Sequence, residues 1–254
     1  MSQLKSKIIG LILFITIISV LFIIALKPVT KQSSDGVKSL TLSGNQLLSQ
    51  SSYLNFAKLN QEQNFRSITL ELVKDRLDKH PFIVSTEVEQ SNQGSVKVEM
   101  LEKELIAFLI LRDESYLLSN ELQMLPILTN TKISDLPIIN NPKNASDYKV
   151  LSYLESEEIL EAYSILKAIK YLNPNMLSRL SEINLNHGND ITLTFSGIKP
   201  LIKFGKNEVA KKILVLNSLW KELENKDSDL GQSEYVDLRF TNQIYFAKAV
   251  ETEL

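Results

Sequence analysis

The longest apolar run stands near the start of the chain. Residues 8–26 carry no charge, and only Gly10, Thr16 and Ser19 interrupt strongly apolar side chains. As a helix this run reaches roughly 28 Å, the thickness of the hydrocarbon core of a bilayer. A buried core helix would show a polar stripe, and this run has none. A cleaved signal peptide has an apolar stretch of about 7–15 residues ending in a small-x-small site. Here the run leaves through Ala25-Leu26-Lys27-Pro28. The pattern predicts an uncleaved transmembrane anchor. Lys5 and Lys7 precede it, and Lys27, Lys31 and Lys38 follow, so flanking charge alone does not orient it. A tail of residues 1–7 is too short for a domain, so the folded part is expected beyond the span, outside the cytoplasm.

After a polar stretch at 27–36, the periodicity alternates between two kinds. Val37 to Leu42 reads as a strand and Ser43-Gly44-Asn45 as a turn. Gln46 to Leu59 has apolar residues at roughly helical spacing. Asn64-Phe65-Arg66-Ser67 looks like a cap before a helix carrying Ile68, Leu70, Leu72, Val73 and Leu77. His80-Pro81 ends it, because proline disfavours the helical region for the residue before it. A strand over Ile83, Val84 and Val88 follows, then a turn at Gln90 to Gly94. Val96, Val98 and Met100 alternate with polar neighbours as a half-buried strand. The order strand, helix, helix, strand, strand describes a small α+β unit over residues 37–106, with Leu47, Leu54, Leu72, Val73, Leu77, Val88, Val96 and Val98 expected in its core.

Residues 107–254 read differently. Ala107–Leu111 and Ser115–Ser119 suggest paired strands, and Leu136–Ile139 a further apolar segment. Leu151 to Leu172 reads as one long helix stopped by Asn173-Pro174. Strands are predicted at Glu182–Leu185, Ile191–Phe195 and Leu201–Phe204. A second helix, Glu208 to Leu223, places Val209, Ile213, Leu216, Trp220 and Leu223 on one face. Two strands close the pattern, Glu234–Phe240 and Gln243–Val250. The second of these is the natural candidate for a sheet edge. The fold class is α+β: one N-terminal transmembrane helix, a β-α-α-β-β unit, then a β-rich domain with two helices.

Composition narrows the chemistry. There is no cysteine and there are only two histidines, His80 and His187, which removes thiol catalysis, Cys-ligated zinc and disulfides. Lys+Arg 28 against Asp+Glu 30 gives a net charge of −2, not the basic face that nucleic acid requires. Ser164-Ile165-Leu166-Lys167 matches S-x-x-K and Ser43-Gly44-Asn45 matches S-x-N, both used by penicillin-binding proteins. Their order is reversed here, K-T-G is absent, and Ser164 falls inside a helix. Glu155, Glu157, Glu158 and Glu161 could suggest a cation site, but acidic residues at a helix start answer its dipole. No catalytic, cofactor or metal residue is expected, and no enzyme activity. Asp237 and Arg239 share a strand face with Tyr235. They form either a local ion pair that pins the strand or the rim of a partner surface.

Several segments, in this order, resemble the FtsQ/DivIB family of bacterial cell-division proteins. Leu40-Thr41-Leu42-Ser43-Gly44-Asn45 is similar to the family's opening strand and turn, and Leu77 to Ile83 (LDKHPFI) to its L-x-x-x-P-W-V segment. Glu102 to Ala107 (EKELIA) resembles E-R-x-P-x-A, with Lys103 and Leu105 in place of the arginine and proline. Leu136-Pro137-Ile138-Ile139 resembles L-P-x-L. Tyr235 to Phe240 (YVDLRF) resembles Y-V-D-L-R-[YF], the most specific piece. The resemblance implies a polypeptide-transport-associated (POTRA) domain at 37–106 and an FtsQ-like β domain at 107–254. It also implies a non-enzymatic bitopic scaffold of the divisome in the inner membrane at the septum, with FtsB/FtsL-like partners. The partner surface it implies comprises Tyr235, Asp237, Arg239, Phe240, Asn242, Gln243, Ile244, Tyr245, Phe246 and Lys248. The competing reading of the same layout is a membrane-anchored POTRA-type chaperone or secretion adaptor.

Overall fold

The computed structural model describes residues 14–19, 37, 39–60, 68–91, 94–133, 135–240 and 243–248. Residues 14–19 are helical. The rest of the expected anchor, the tail at 1–7 and the linker at 27–36 lie outside the described residues. Among the described residues no helix is long and apolar enough to cross a membrane.

The first layer has three strands in the order β1-β3-β2. They are β1 (Ser39–Ser43), β2 (Ile83–Gln90) and β3 (Ser95–Glu102), with helices α1 (Gln50–Phe56) and α2 (Leu70–Asp78) between β1 and β2. β1 runs parallel to β3, and β2 antiparallel to it. The alternation on β3 holds: Val96, Val98 and Met100 are buried while Lys97, Glu99 and Leu101 are exposed, so both helices cover one face. Tyr53, Val73 and Leu77 close that face. Leu47, Leu54, Leu72 and Val88 are only partly buried around this core.

Local chemistry explains the boundaries. α2 is capped by Thr69, whose hydroxyl accepts from the Leu72 N–H at 3.2 Å. The Ser67 cap expected from the sequence lies outside the described residues, and Thr69 fills that role. The Ser43-Gly44-Asn45 turn is structural. Gly44 has φ +86°, and a Cβ there would lie 2.1 Å from the Met100 carbonyl oxygen, so only glycine fits. Glu102 holds the same loop, accepting from the Gln46 N–H at 2.7 Å and from the Tyr53 hydroxyl. His80 is buried among Tyr53, Phe56 and Phe82, and its Nδ1 accepts from the Phe82 N–H at 3.1 Å.

The second layer is a nine-stranded sheet ordered β12-β11-β10-β9-β8-β7-β4-β5-β6. Its strands are β4 (Leu105–Leu111), β5 (Glu114–Ser119), β6 (Met124–Pro126), β7 (Ile138–Asn140), β8 (Leu180–His187), β9 (Asp190–Phe195), β10 (Leu201–Lys203), β11 (Ser233–Asp237) and β12 (Tyr245–Lys248). Helices α3 (Glu157–Leu172) and α5 (Val209–Glu224) pack on the sheet through Ile159, Ile165, Ile169, Ile213, Leu216 and Trp220. Trp220 meets Phe195 edge to face at 5.0 Å, a core role.

The sequence reading is corrected at several boundaries: α1 is shorter than Gln46–Leu59, β11 stops at Asp237 rather than Phe240, and the region of α3 differs most. α3 starts at Glu157, not Leu151. Leu151 adopts φ +69°, and residues 151–154 run alongside β6: Leu151 N–H bonds Met124 C=O at 2.7 Å, and Met124 N–H bonds Ser152 C=O at 3.0 Å. That pairing delays the helix. Asn173-Pro174 does end α3, but it also starts α4 (Pro174–Arg179), with Asn173 as the cap and proline in the first turn, where its missing N–H costs nothing.

The layers share apolar packing. Leu117 of β5 and Leu125 of β6 belong to the core of the three-stranded layer. Lys103 ties the same junction, donating to the Pro81 carbonyl at 2.8 Å and to the Gln123 amide oxygen.

Candidate functional site: an open sheet edge

Register shows what the last strand exposes. One row crosses the sheet through Phe246, Val236, Ile202, Leu193, Ile183, Ile139 and Leu109. Paired residues in a row point to the same face. Val236 to Leu109 are all fully buried in the core beneath α3 and α5, whereas Phe246 is 46% exposed. The apolar row of the interior therefore continues onto β12 after its helical cover has ended.

Beside it lies a depression of about 230 Å³ between α5 and the chain leaving β11. Lys211, Lys212 and Val215 form one wall, and Leu238, Phe240 and Ile244 the other. Phe240, Ile244 and Tyr245 are exposed, and the rings of Phe240 and Tyr245 meet edge to face at 5.0 Å. Gln243 accepts from the Tyr245 hydroxyl. An aromatic, largely uncharged strand at the end of a sheet offers both backbone hydrogen-bonding groups and apolar area to an extended segment.

The polar residues of this region are tied down. Asp237 is buried and takes Arg239 in a fork, accepting from Nε at 2.9 Å and from a terminal guanidinium nitrogen at 2.6 Å. Burial disfavours the charge on Asp237, but the hydrogen bonds and charge of Arg239 outweigh it and hold the carboxyl below the usual aspartate range. The other terminal nitrogen of Arg239 reaches Asp190 at 2.8 Å. Lys203 places its ammonium 3.4 Å from the centre of the Tyr235 ring, a cation–π contact. Lys212 is buried, donates to the Lys206 carbonyl at 2.7 Å, and is pushed below the usual lysine range by that burial.

Of the residues singled out from the sequence, Phe240, Gln243, Ile244, Tyr245 and Phe246 gather at this exposed edge. Tyr235 is half-buried beneath Lys203. Asp237 and Arg239 form the local ion pair, and Lys248 pairs with Ser233 in the ladder. Asn242 lies outside the described residues. Asp190, Lys203, Gly205 and Val215 were missed. They sit on other elements of the chain, and only the strand order and the packing of α5 bring them here. The S-x-x-K residues serve the helix: Ser164 is exposed and bonds the Leu160 carbonyl at 2.8 Å, and Lys167 lies over Tyr163 at 5.1 Å. The acidic α3 start is used for local bonds: Glu158 accepts from the Lys143 N–H at 2.9 Å, and Glu161 from the Asn207 N–H.

Comparison with known proteins places the chain by sequence. Residues 108–239 match the family described as cell division protein FtsQ/DivIB, C-terminal. That match ends at the exit of β11. The chain is 25% identical over 173 residues to the cell division protein FtsQ of Myxococcus fulvus, covering 68% of this chain and 60% of the relative. It is 22% identical over 197 residues to the cell division protein FtsQ of Geotalea daltonii, covering 77% of this chain and 69% of the relative. The chain thus spans about three fifths of the length of the Myxococcus relative. With more than half of its residues inside the family match, the chain belongs to the FtsQ/DivIB family of cell division proteins.

Proposed function

We propose that the protein is a non-enzymatic bitopic scaffold of the divisome, anchored in the inner membrane by residues 8–26, with residues 37–254 outside the cytoplasm at the septum. In this reading residues 37–106 form a POTRA domain and residues 107–254 the FtsQ-like β domain. Its work is to hold together small bitopic division proteins of the FtsB/FtsL kind. An extended segment of such a partner adds to β12 as a tenth strand, and its apolar side chains cover Phe246 and enter the depression beside α5. The observation that carries this reading is the β12 edge, uncovered among the described residues, where an apolar row of the core comes to the surface.

The test is a proline scan from Ile244 to Lys248. Proline at an outward-facing N–H removes a donor and blocks strand addition, while the inner ladder with β11 survives. Such a variant folds, reaches the membrane, and loses co-purification with the FtsB-type protein. If every proline in that stretch leaves co-purification unchanged, partner docking lies elsewhere on the chain. Midcell localisation of a fluorescent fusion separates the divisome role from a peripheral secretion adaptor.

A further inference from the structure

The open edge needs a fixed direction, because a strand attached to the sheet on one side only can fray or twist. β12 is short, and the chain leaving β11 toward it is exposed at Arg239 and Phe240. A chain of contacts links that segment to the middle of the sheet. Asp190 starts it. It is the first residue of β9, directly after the turn His187-Gly188-Asn189, where Gly188 and Asn189 have φ +63° and +73°. Two consecutive positive φ values make the tight primed turn that matches strand twist, so Asp190 is held at a well-defined point. Its carboxylate takes the outer nitrogen of Arg239 at 2.8 Å. Arg239 lies 6.0 Å from the centre of the Phe240 ring, and Phe240 meets Tyr245 of β12 at 5.0 Å.

The two acids that grip Arg239 do different work. Asp237 is two residues away at the end of β11, in register with Lys203 of β10 and Tyr245 of β12, so its fork ties the segment only to the strand it has just left. Asp190 comes from β9, on the far side of β10, and anchors the guanidinium to the sheet interior. Gly205 completes the seat. It has φ +67°, and a Cβ there would lie 2.7 Å from Cγ of Arg239, so the arginine stem runs directly over the glycine backbone.

We infer that Asp190 is a positioning residue for the docking edge: through Arg239 and Phe240 it sets where Tyr245, and with it β12, stands. The inference rests on the proposed docking at β12. Pre-organising a binding strand raises affinity by lowering the ordering cost paid on association.

The experiment compares the full chain with Asp190→Ala and Asp190→Glu variants. Amide exchange is followed in the free protein, and binding is measured with the FtsB-type protein of the same organism as the probe. Asp190→Ala should raise exchange at Tyr245–Lys248 by about tenfold, leave β8 and β9 protected, and weaken probe binding by roughly 3- to 10-fold. Asp190→Glu, which can still reach Arg239, should recover most of both effects. A loss of protection spreading through β8 and β9 would make Asp190 only a hairpin stabiliser and overturn the inference. So would parental exchange and binding in Asp190→Ala. If proline variants of β12 abolish binding while Asp190→Ala behaves as the parent, the docking reading stands and the positioning role alone falls. If the proline variants bind normally, both fall.

Discussion

The nine-stranded sheet ends differently on its two sides. At β6 the backbone is closed off: residues 151–154 run beside it, with Leu151, Met124 and Leu154 all donating across the gap. Leu125 of β6 is buried in the core shared with the three-stranded layer. At β12 none of this holds among the described residues, and Ile244, Tyr245 and Phe246 stand exposed. An unpaired edge invites association, and proteins usually blunt such edges. This one blunts β6 with its own chain and leaves β12 dressed in aromatic residues. The contrast separates an edge that the chain itself covers from one that, among the described residues, it leaves exposed.

The comparison can be broken or sharpened by measurement. The largest effect is expected within the apolar row itself. Ile183→Ala, at a fully buried position of that row, should cost about 2–5 kcal/mol in a urea melt. A loss under about 1 kcal/mol would mean that the row is not core.

Acid should act on the β6 side. Burial, reinforced by the Lys103 charge, pushes the His80 imidazole down to about 4. The unfolded chain takes up that proton below about 6.5 while the folded chain refuses it until about 4. Stability is therefore fully present above pH 6.5, falls between 6.5 and 4, and levels off below. The total loss is about 3 kcal/mol. Because Leu117 and Leu125 share the core around His80, protection of β5 and β6 amides should weaken in that window before β8 and β9. A His80→Gln chain with the same acid profile would refute the assignment.

The covered edge is next. Leu154→Pro removes the N–H that bonds the Leu122 carbonyl at 2.9 Å and should cost about 1–3 kcal/mol from the orphaned acceptor alone. Thermal melts of this variant beside a proline in β12 give the direct contrast, with a shift expected only for the first. The smallest stability effect belongs to Phe246→Ala. Near half exposure it should change folding by less than about 0.5 kcal/mol, yet weaken capture of the FtsB-type protein. A large loss of stability would show that Phe246 is covered by the chain itself.

Most of this architecture was legible in the sequence, because periodicity reports which face of an element is buried. The alternation at Val96, Val98 and Met100 and the helical stripe from Val209 to Leu223 translate directly into β3 and α5. Residues 151–156 were misread because apolar spacing cannot reveal a strand-like pairing with β6 that outcompetes helix. α4 was hidden because proline both ends one helix and starts another. At the site, the local Asp237–Arg239 pair and the exposed aromatics could be read from one segment. Asp190 and Gly205 could not, since their meaning depends on which strands become neighbours.

The apolar packing that joins the two layers has a mechanical consequence. Leu117 and Leu125 belong to one sheet in sequence and to the other layer's interior in space, while Lys103 bolts the same seam. The halves are therefore not beads on a string that swivel independently. If a partner adds to β12 as proposed, a pull on it would run through the ladder to β5 and β6 and so into this shared core.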